Sequence, residues 1–318
     1  MEGTAWQEFY RGRAVVVFGG AGFLGSHLVE RLVALGARVM VVDALVPGSG
    51  GRVENLQAVS SQIQFIHDTC GRVERWSAVL EPGAVLFHCA ALNTHRWCNE
   101  HPAEDAHWNY LPTCVVAEYL QRLPFPTRVL YASTRSVYAP SRARVITEGH
   151  RVAPADVYSL HCWASEQVLL QLRRWGHSVA VARLPHLYGP RQRLQGLEIG
   201  FVGELVRAAL AGQPYELYGH GEVHRDLLFV GDAVEVFLRL GVSRAEGIFN
   251  MPGAYVAART VAQILEALVG WRGYQLRGEP APSFPQLSGR RLEKAIGWLP
   301  QTSLWEGFRR MLQQHALL

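Results

Sequence analysis

The sequence predicts an α/β protein built on a doubly wound parallel sheet, with a smaller C-terminal lobe for substrate. Three observations predict it. Short, purely apolar runs alternate with segments whose apolar residues recur at helical spacing. A glycine-rich turn joins the first run to the first helical segment, and after about Gly189 the alternation loosens into Gly/Pro/Arg-rich sequence with shorter strand candidates. Strands that are apolar throughout, with helices between them, belong to sheets covered on both faces. With 318 residues, 49% of them apolar, the chain is long enough for one large core beside a second lobe. The expected division is residues 1–180 and 181–318, with the chain partly interleaved between the two.

The elements follow in order. RAVVVF (13–18) is β-branched and apolar, GGAGFLG (19–25) is the turn, and SHLVERLVALG (26–36) has helical apolar spacing. ARVMVVDA (37–44) follows after a single glycine, which gives a strand, helix, strand unit with a right-handed crossover. IQFIHD, AVLFHCAA, TRVLYAST and SVAVARL read as four more strands, and the segments 73–80, 103–121 and 155–175 as helices. Beyond Gly189 the sequence gives a helix from about Gly200 to Ala211, short strand candidates YELYG, LLFV and IFN in the smaller lobe, and two later helices.

Composition excludes several classes. A chain with 18% charged and 10% aromatic residues is neither disordered nor collagen-like. Cys70, Cys89, Cys98, Cys114 and Cys162 are odd in number and fall within regular segments, which fits reduced thiols in a cytoplasm. The start, MEGTAWQEFYRGR, has no secretory apolar core, and no run approaches the roughly 18 apolar residues of a membrane span. Of 31 basic residues only Lys294 is lysine, leaving 31 − 1 = 30 arginines, and no consecutive basic block suggests nucleic acid. His95, Cys98 and His101 lie three apart without a fourth ligand or a zinc-type pairing, so no metal is expected. Trp108 and Trp163 fall on helices and read as core or subunit packing.

The chemistry starts at the turn. Gly19, Gly22 and Gly25 stand in GxxGxxG spacing between a strand and a helix, where glycine lets the backbone approach a pyrophosphate that the helix N-terminus then meets. Such turns alone are common. Asp43, at the end of the second strand and roughly 20 residues on, adds a carboxylate suited to both adenosine ribose hydroxyls and hostile to a 2′-phosphate. Together they indicate a Rossmann arrangement that binds NAD in preference to NADP.

From about Arg13 to Leu312 the sequence resembles the extended short-chain dehydrogenase/reductase family, in particular its nucleotide-sugar 4-epimerases of the UDP-galactose and UDP-glucuronate type. The resemblance is carried by GGAGFLGSHL, FIHD, CAALN, RVLYASTRSVYA, VYSLHCWASEQ, RLPHLYGPRQR, HRDLLFVGDAVEVF and the tail AIGWLPQTSLWEGFRRML. It implies NAD contacts from Gly19, Gly22, Phe23, Leu24, Gly25, Asp43, Asp68, Thr69, Cys89, Ala90, Ala91, Asn109, Tyr158, Leu184 and His186. It implies a UDP-linked sugar held by Asn93, Thr134, Arg135, His186, Arg193, Tyr218 and Arg225, the last on the diphosphate. Thr134 takes the place of the active-site hydroxyl and Tyr158 that of the general base, and a homodimer formed through two helices is also implied. A sugar hydroxyl that loses hydride must lose a proton too, and a phenolate is a suitable acceptor.

Two departures refine this resemblance. Related dehydratases follow the hydroxyl with Asp-Glu and decarboxylases place Glu two residues after it, whereas Thr134 is followed by Arg135 and Ser136. With no carboxylate there, elimination is disfavoured, and Arg135 and Arg193 are candidates to face a substrate carboxylate. The second departure is that Cys162 stands where the YxxxK pattern requires lysine, while Glu166 of the same helix stays in register. A thiol cannot lower a phenol's pKa as an ammonium does, so His161, Arg135 and His186 become candidate cations. Two functions follow. One is a nucleotide-sugar epimerase or dehydrogenase-type enzyme with Thr134, Tyr158 and Cys162 at its centre, and the other is a catalytically degenerate NAD- and nucleotide-sugar-binding regulatory or scaffold protein.

Overall fold

The structure, a computed structural model, describes residues 5–196, 198–279 and 283–314. In chain order the elements are α1 (Ala5–Glu8), β1 (Ala14–Phe18), α2 (Phe23–Ala34), β2 (Arg38–Asp43), β3 (Ile63–His67), β4 (Val85–His88), α3 (His95–Glu100), α4 (Pro102–Asp105), α5 (Leu111–Leu120), β5 (Arg128–Thr134), β6 (Val145–Ile146), α6 (Val157–Gln171), β7 (Ser178–Leu184) and β8 (His186–Tyr188). The second half adds α7 (Gly200–Leu210), β9 (Tyr215–Tyr218), β10 (His224–Phe229), α8 (Val230–Val242), β11 (Gly247–Asn250), β12 (Ala254–Ala257), α9 (Ala258–Val269), β13 (Tyr274–Arg277), β14 (Gln286–Leu287), α10 (Arg290–Ile296) and α11 (Leu304–Gln313).

Seven strands form one parallel sheet in the order β11-β7-β5-β4-β1-β2-β3. The six strands expected in the larger lobe are all present. Their apolar runs are explained by burial on both faces: Val15, Val17 and Phe87 face one core and Val16, Phe18 and Leu86 the other. The chain order reverses between β1 and β4, so the carboxyl ends of these strands open into a crevice. The strand IFN, expected in the smaller lobe, instead pairs with β7 at the edge of the large sheet, with Phe249 opposite Ala182. The smaller lobe has its own sheets, β12-β10-β8 and β13-β9.

Three helical expectations change. The segment 73–80 forms only 3₁₀ turns, Val73–Arg75 and Ser77–Val79. Its one deep anchor, Trp76, is fully buried against Phe18 and donates from Nε1 to the Cys70 carbonyl at 2.8 Å, which draws the short segment into a tight turn. The helix expected over 103–121 is helical throughout but widens into a π-turn at Ala106–Tyr110. Pro112 has no N–H for an i−4 bond, and such widening is the usual accommodation. The helix α8 was not expected. Its residues Val230, Ala233, Val234, Val236, Phe237, Leu238 and Leu240 are buried, while Glu235 and Arg239, paired one turn apart at 2.7 Å, mark its outer face. It covers the large sheet, with Phe237 against Phe87 and the Leu238 carbonyl accepting from the Tyr10 hydroxyl at 2.7 Å. Among the described residues no helix is long and apolar enough to cross a membrane.

Candidate active site

The glycine turn is packed as only glycine permits. A β-carbon on Gly25 would lie 2.1 Å from the Gly19 carbonyl oxygen, and one on Gly19, whose φ is +71°, would lie 2.6 Å from the Ala90 backbone. No side chain caps the following helix α2 at Gly22, which leaves its first N–H groups to an anion. Asp43 is buried at the end of β2. Its Oδ2 accepts from the Ala21 N–H and its Oδ1 from the Leu45 N–H, each at 2.9 Å, while burial holds its carboxyl above the usual range. Each oxygen keeps a lone pair for a hydroxyl donor.

Gly19, Gly22, Asp43, Asp68, Thr69, Cys89, Ala90 and Ala91 line one open cleft. Phe23 and Leu24 begin α2 behind the turn, and Leu184 ends β7. Sequence reasoning missed Val46, Ser49, Gly51 and Trp108, which also line the cleft. Trp108, read as packing, sits there because the π-turn carries it over the loop after β4. Asn109 from the same turn is buried. Its Oδ1 accepts from the Leu92 N–H at 2.7 Å, and its Nδ2 donates to the Leu92 carbonyl at 2.9 Å and to Asp105 at 2.6 Å, so it fixes the loop holding Ala90, Ala91 and Asn93. The cradle and the Asp43 carboxylate fit a dinucleotide.

Thr134 ends β5, and its Oγ1 accepts from the Ser136 N–H at 3.1 Å. Tyr158 and Cys162 lie one turn apart on α6 and are buried with Cys98, Val137 and Tyr138. The Cys162 thiol and the phenols of Tyr158 and Tyr131 act on one another's ionisation. Burial pushes the thiol up to about 12 and both phenols well above their ordinary value, the cysteine adding to the effect on each tyrosine. Glu166, farther along α6, accepts from Ser133 of β5 and, at 2.9 and 2.6 Å, from Arg183 of β7. This fully buried fork fixes the helix that carries Tyr158 against the sheet.

The candidate cations separate. His161 meets the buried Asp105 carboxylate. Burial and the nearby Arg135 and Arg225 push His186 down to about 4, so it is neutral at pH 7 and is no cation. Arg135 donates from Nη2 to the Pro285 carbonyl at 2.7 Å while its Nη1 is buried without a partner, and Arg225 stacks over Phe284 at 4.5 Å. Phe284 thus lies between the two guanidiniums, and among the described residues neither forms an ion pair with a carboxylate. Arg193 donates to the carbonyls of Gly48 and Glu198. Tyr218 is 65% exposed and donates to Glu216 at 3.2 Å. His95, Cys98 and His101 go to Asp156, the Leu92 carbonyl and the Trp97 carbonyl respectively, not to a common point.

A doubly wound sheet with a glycine cradle at its switch point and a buried tyrosine beside the crevice defines a dinucleotide-dependent α/β protein. The chain belongs to the NAD dependent epimerase/dehydratase family, whose model matches residues 15–251. It is 31% identical over 319 residues to a UDP-glucose 4-epimerase of Mycolicibacterium smegmatis, covering 94% of this chain and 97% of that protein. Among solved structures it is similar to the UDP-glucose 4-epimerase of Thermotoga maritima with UDP-glucose, at 27% identity and a TM-score of 0.85, covering 95% of this chain and 98% of that one. The Thermus thermophilus UDP-glucose 4-epimerase complex with NAD gives 28% identity and a TM-score of 0.80, covering 95% and 99%. The expected family, parallel fold and NAD cofactor agree with these findings.

Proposed function

We propose that the chain is an NAD-dependent nucleotide-sugar 4-epimerase that acts on a UDP-linked sugar through a YxxxC site. The observation that carries this reading is the pair of guanidiniums, Arg135 and Arg225, stacked on Phe284 with no carboxylate hydrogen-bonded to either among the described residues. Buried Asp226 acts on Arg135 by charge, but its two oxygens are taken by the Gly253 and Leu287 N–H groups, so the guanidiniums remain open to a hydrogen-bonding anion, and a nucleotide diphosphate is such a group. Bound NAD supplies the acceptor for the hydride of carbon 4. Gly19, Gly22 and the α2 N-terminus would hold its pyrophosphate, and Asp43 its adenosine ribose. Thr134 would hydrogen-bond the sugar 4-hydroxyl and Tyr158 would take its proton. The absence of a carboxylate at positions 135 and 136 disfavours elimination.

The protein would work as a cytoplasmic homodimer. The exposed Leu111 and Val115 of α5 and Leu160 of α6 give the two helices an apolar outer surface suited to a second copy. The second reading, a degenerate NAD- and nucleotide-sugar-binding protein, is favoured by the Cys162 thiol, which leaves Tyr158 without its usual ammonium neighbour. The test is incubation of purified protein with UDP-glucose or UDP-glucuronate and separation of the sugar nucleotides. A C4 epimer as product supports the enzyme. Tight binding of NAD and sugar nucleotide without any product supports the second reading.

A further inference from the structure

We propose that His95, held by Asp156, supplies beside Tyr158 the positive charge that the YxxxC sequence lacks. The inference rests on the reading of Tyr158 as the base. His95 opens α3 and its ring lies edge-to-face with that of Tyr158, the centroids 4.9 Å apart and the planes at 74°. Its Nδ1 is 3.1 Å from Asp156 Oδ2. Asp156 is the N-cap of the very helix that carries Tyr158, and its Oδ1 accepts from the Ser159 N–H at 2.8 Å. The carboxylate therefore anchors the imidazole and the tyrosine helix at once.

The groups around His95 favour its charged form. The hydrogen bond that His95 donates to Asp156 raises its pKa; burial opposes this, while the charges of Asp156, Glu198 and Asp105 add to the rise. Asp105 is itself occupied by His161 and Asn109, and Glu198 accepts from the Arg96 N–H. The other imidazole coupled to His95, His186, is neutral. A cation against an aromatic ring is attracted to its π electrons, and more so once the ring carries the delocalised charge of a phenolate. His95 keeps its proton throughout. The proton of the sugar hydroxyl passes to the Tyr158 oxygen, and the imidazolium acts on that oxygen's acidity by charge alone, as a positioning residue.

The experiment replaces Tyr158 with a fluorinated tyrosine whose phenol ionises nearer neutrality, and follows phenolate absorbance against pH with no substrate present. Introducing His95→Gln should move the midpoint up by about one unit or more, equivalent to roughly ten-fold less phenolate at a given pH. Asp156→Asn keeps the N-cap oxygen but removes the charge, and should move it in the same direction. His95→Phe retains an aromatic contact and serves if glutamine disturbs the packing. In a Cys162→Lys background the effect of His95→Gln should shrink. A midpoint that stays in place in folded His95 variants overturns the proposal. Turnover of UDP-glucose by the unaltered protein is measured separately: a shifted midpoint without turnover would refute the enzyme reading and leave the role of His95 standing.

Discussion

Replacing Cys162 by lysine restores the ammonium that the YxxxK pattern provides, and its effect can be sized from the site. A free phenol of pKa near 10 is about one part in a thousand ionised at pH 7, a deficit of roughly 4 kcal/mol. Burial raises Tyr158 further, and Cys162, one turn along α6 in the same buried cluster, adds to the rise. A nearby opposite charge lowers a pKa by about 1–3 units, so Cys162→Lys should increase the phenolate fraction by about 10- to 1000-fold. The longer side chain enters a packed cluster with Cys98, Val137 and Leu287, and overpacking there should cost about 1–3 kcal/mol of stability. The assay is the initial rate of sugar-nucleotide interconversion between pH 6 and 9, with thermal unfolding measured on the same samples. The expected result is a faster enzyme near neutrality, with its rate rising at lower pH than that of wild type. A folded, NAD-binding variant no faster than an active wild type would refute the reasoning, because the deficit would then already be met in full.

Gly25→Ala should abolish NAD binding measured by fluorescence titration, since its β-carbon would lie 2.1 Å from the Gly19 carbonyl oxygen; undiminished affinity would mean that the turn adapts. Glu166→Gln leaves Arg183, 1% exposed, without its counter-charge, and should lower unfolding free energy by about 3–5 kcal/mol in denaturant titration. His88 is buried on Thr113 and pushed down from 6.5 to about 4, so it remains neutral in the folded chain while the unfolded chain takes up a proton. Its contribution is therefore present above pH 6.5 and is lost as pH falls through about 4, amounting to about 3 kcal/mol; His88→Gln should flatten that part of the stability curve.

Much of this architecture was legible because the sheet is buried on both sides. The runs around Val15, Val41, Leu86, Leu130 and Val181 are apolar at every position, and the glycine turn with Asp43 marks the cleft. The helix α8 has a polar face marked by Glu235 and Arg239, but its first residue, Val230, also ends the strand candidate LLFV, and that reading masked the helix start. Trp76 shows another limit: one buried aromatic can override a weak helical spacing. At the site, the residue types at Thr134, Tyr158 and Cys162 could be read, but the contact of His95 with Tyr158 could not. It depends on how the loop after β4 folds back over α6, and nothing in the spacing of His95, Cys98 and His101 marks that fold.

The edge strand Gly247–Asn250 and the covering helix Val230–Val242 bind the two lobes into one folding unit. A fragment ending near residue 180 would cut β7 before its last residues, strip the backbone partners from its outer edge, and uncover the apolar face over Phe87. Such a fragment should aggregate. Exchange of substrate preference between relatives of this chain should therefore proceed through individual side chains at the crevice, since the second lobe cannot be transplanted as a cassette.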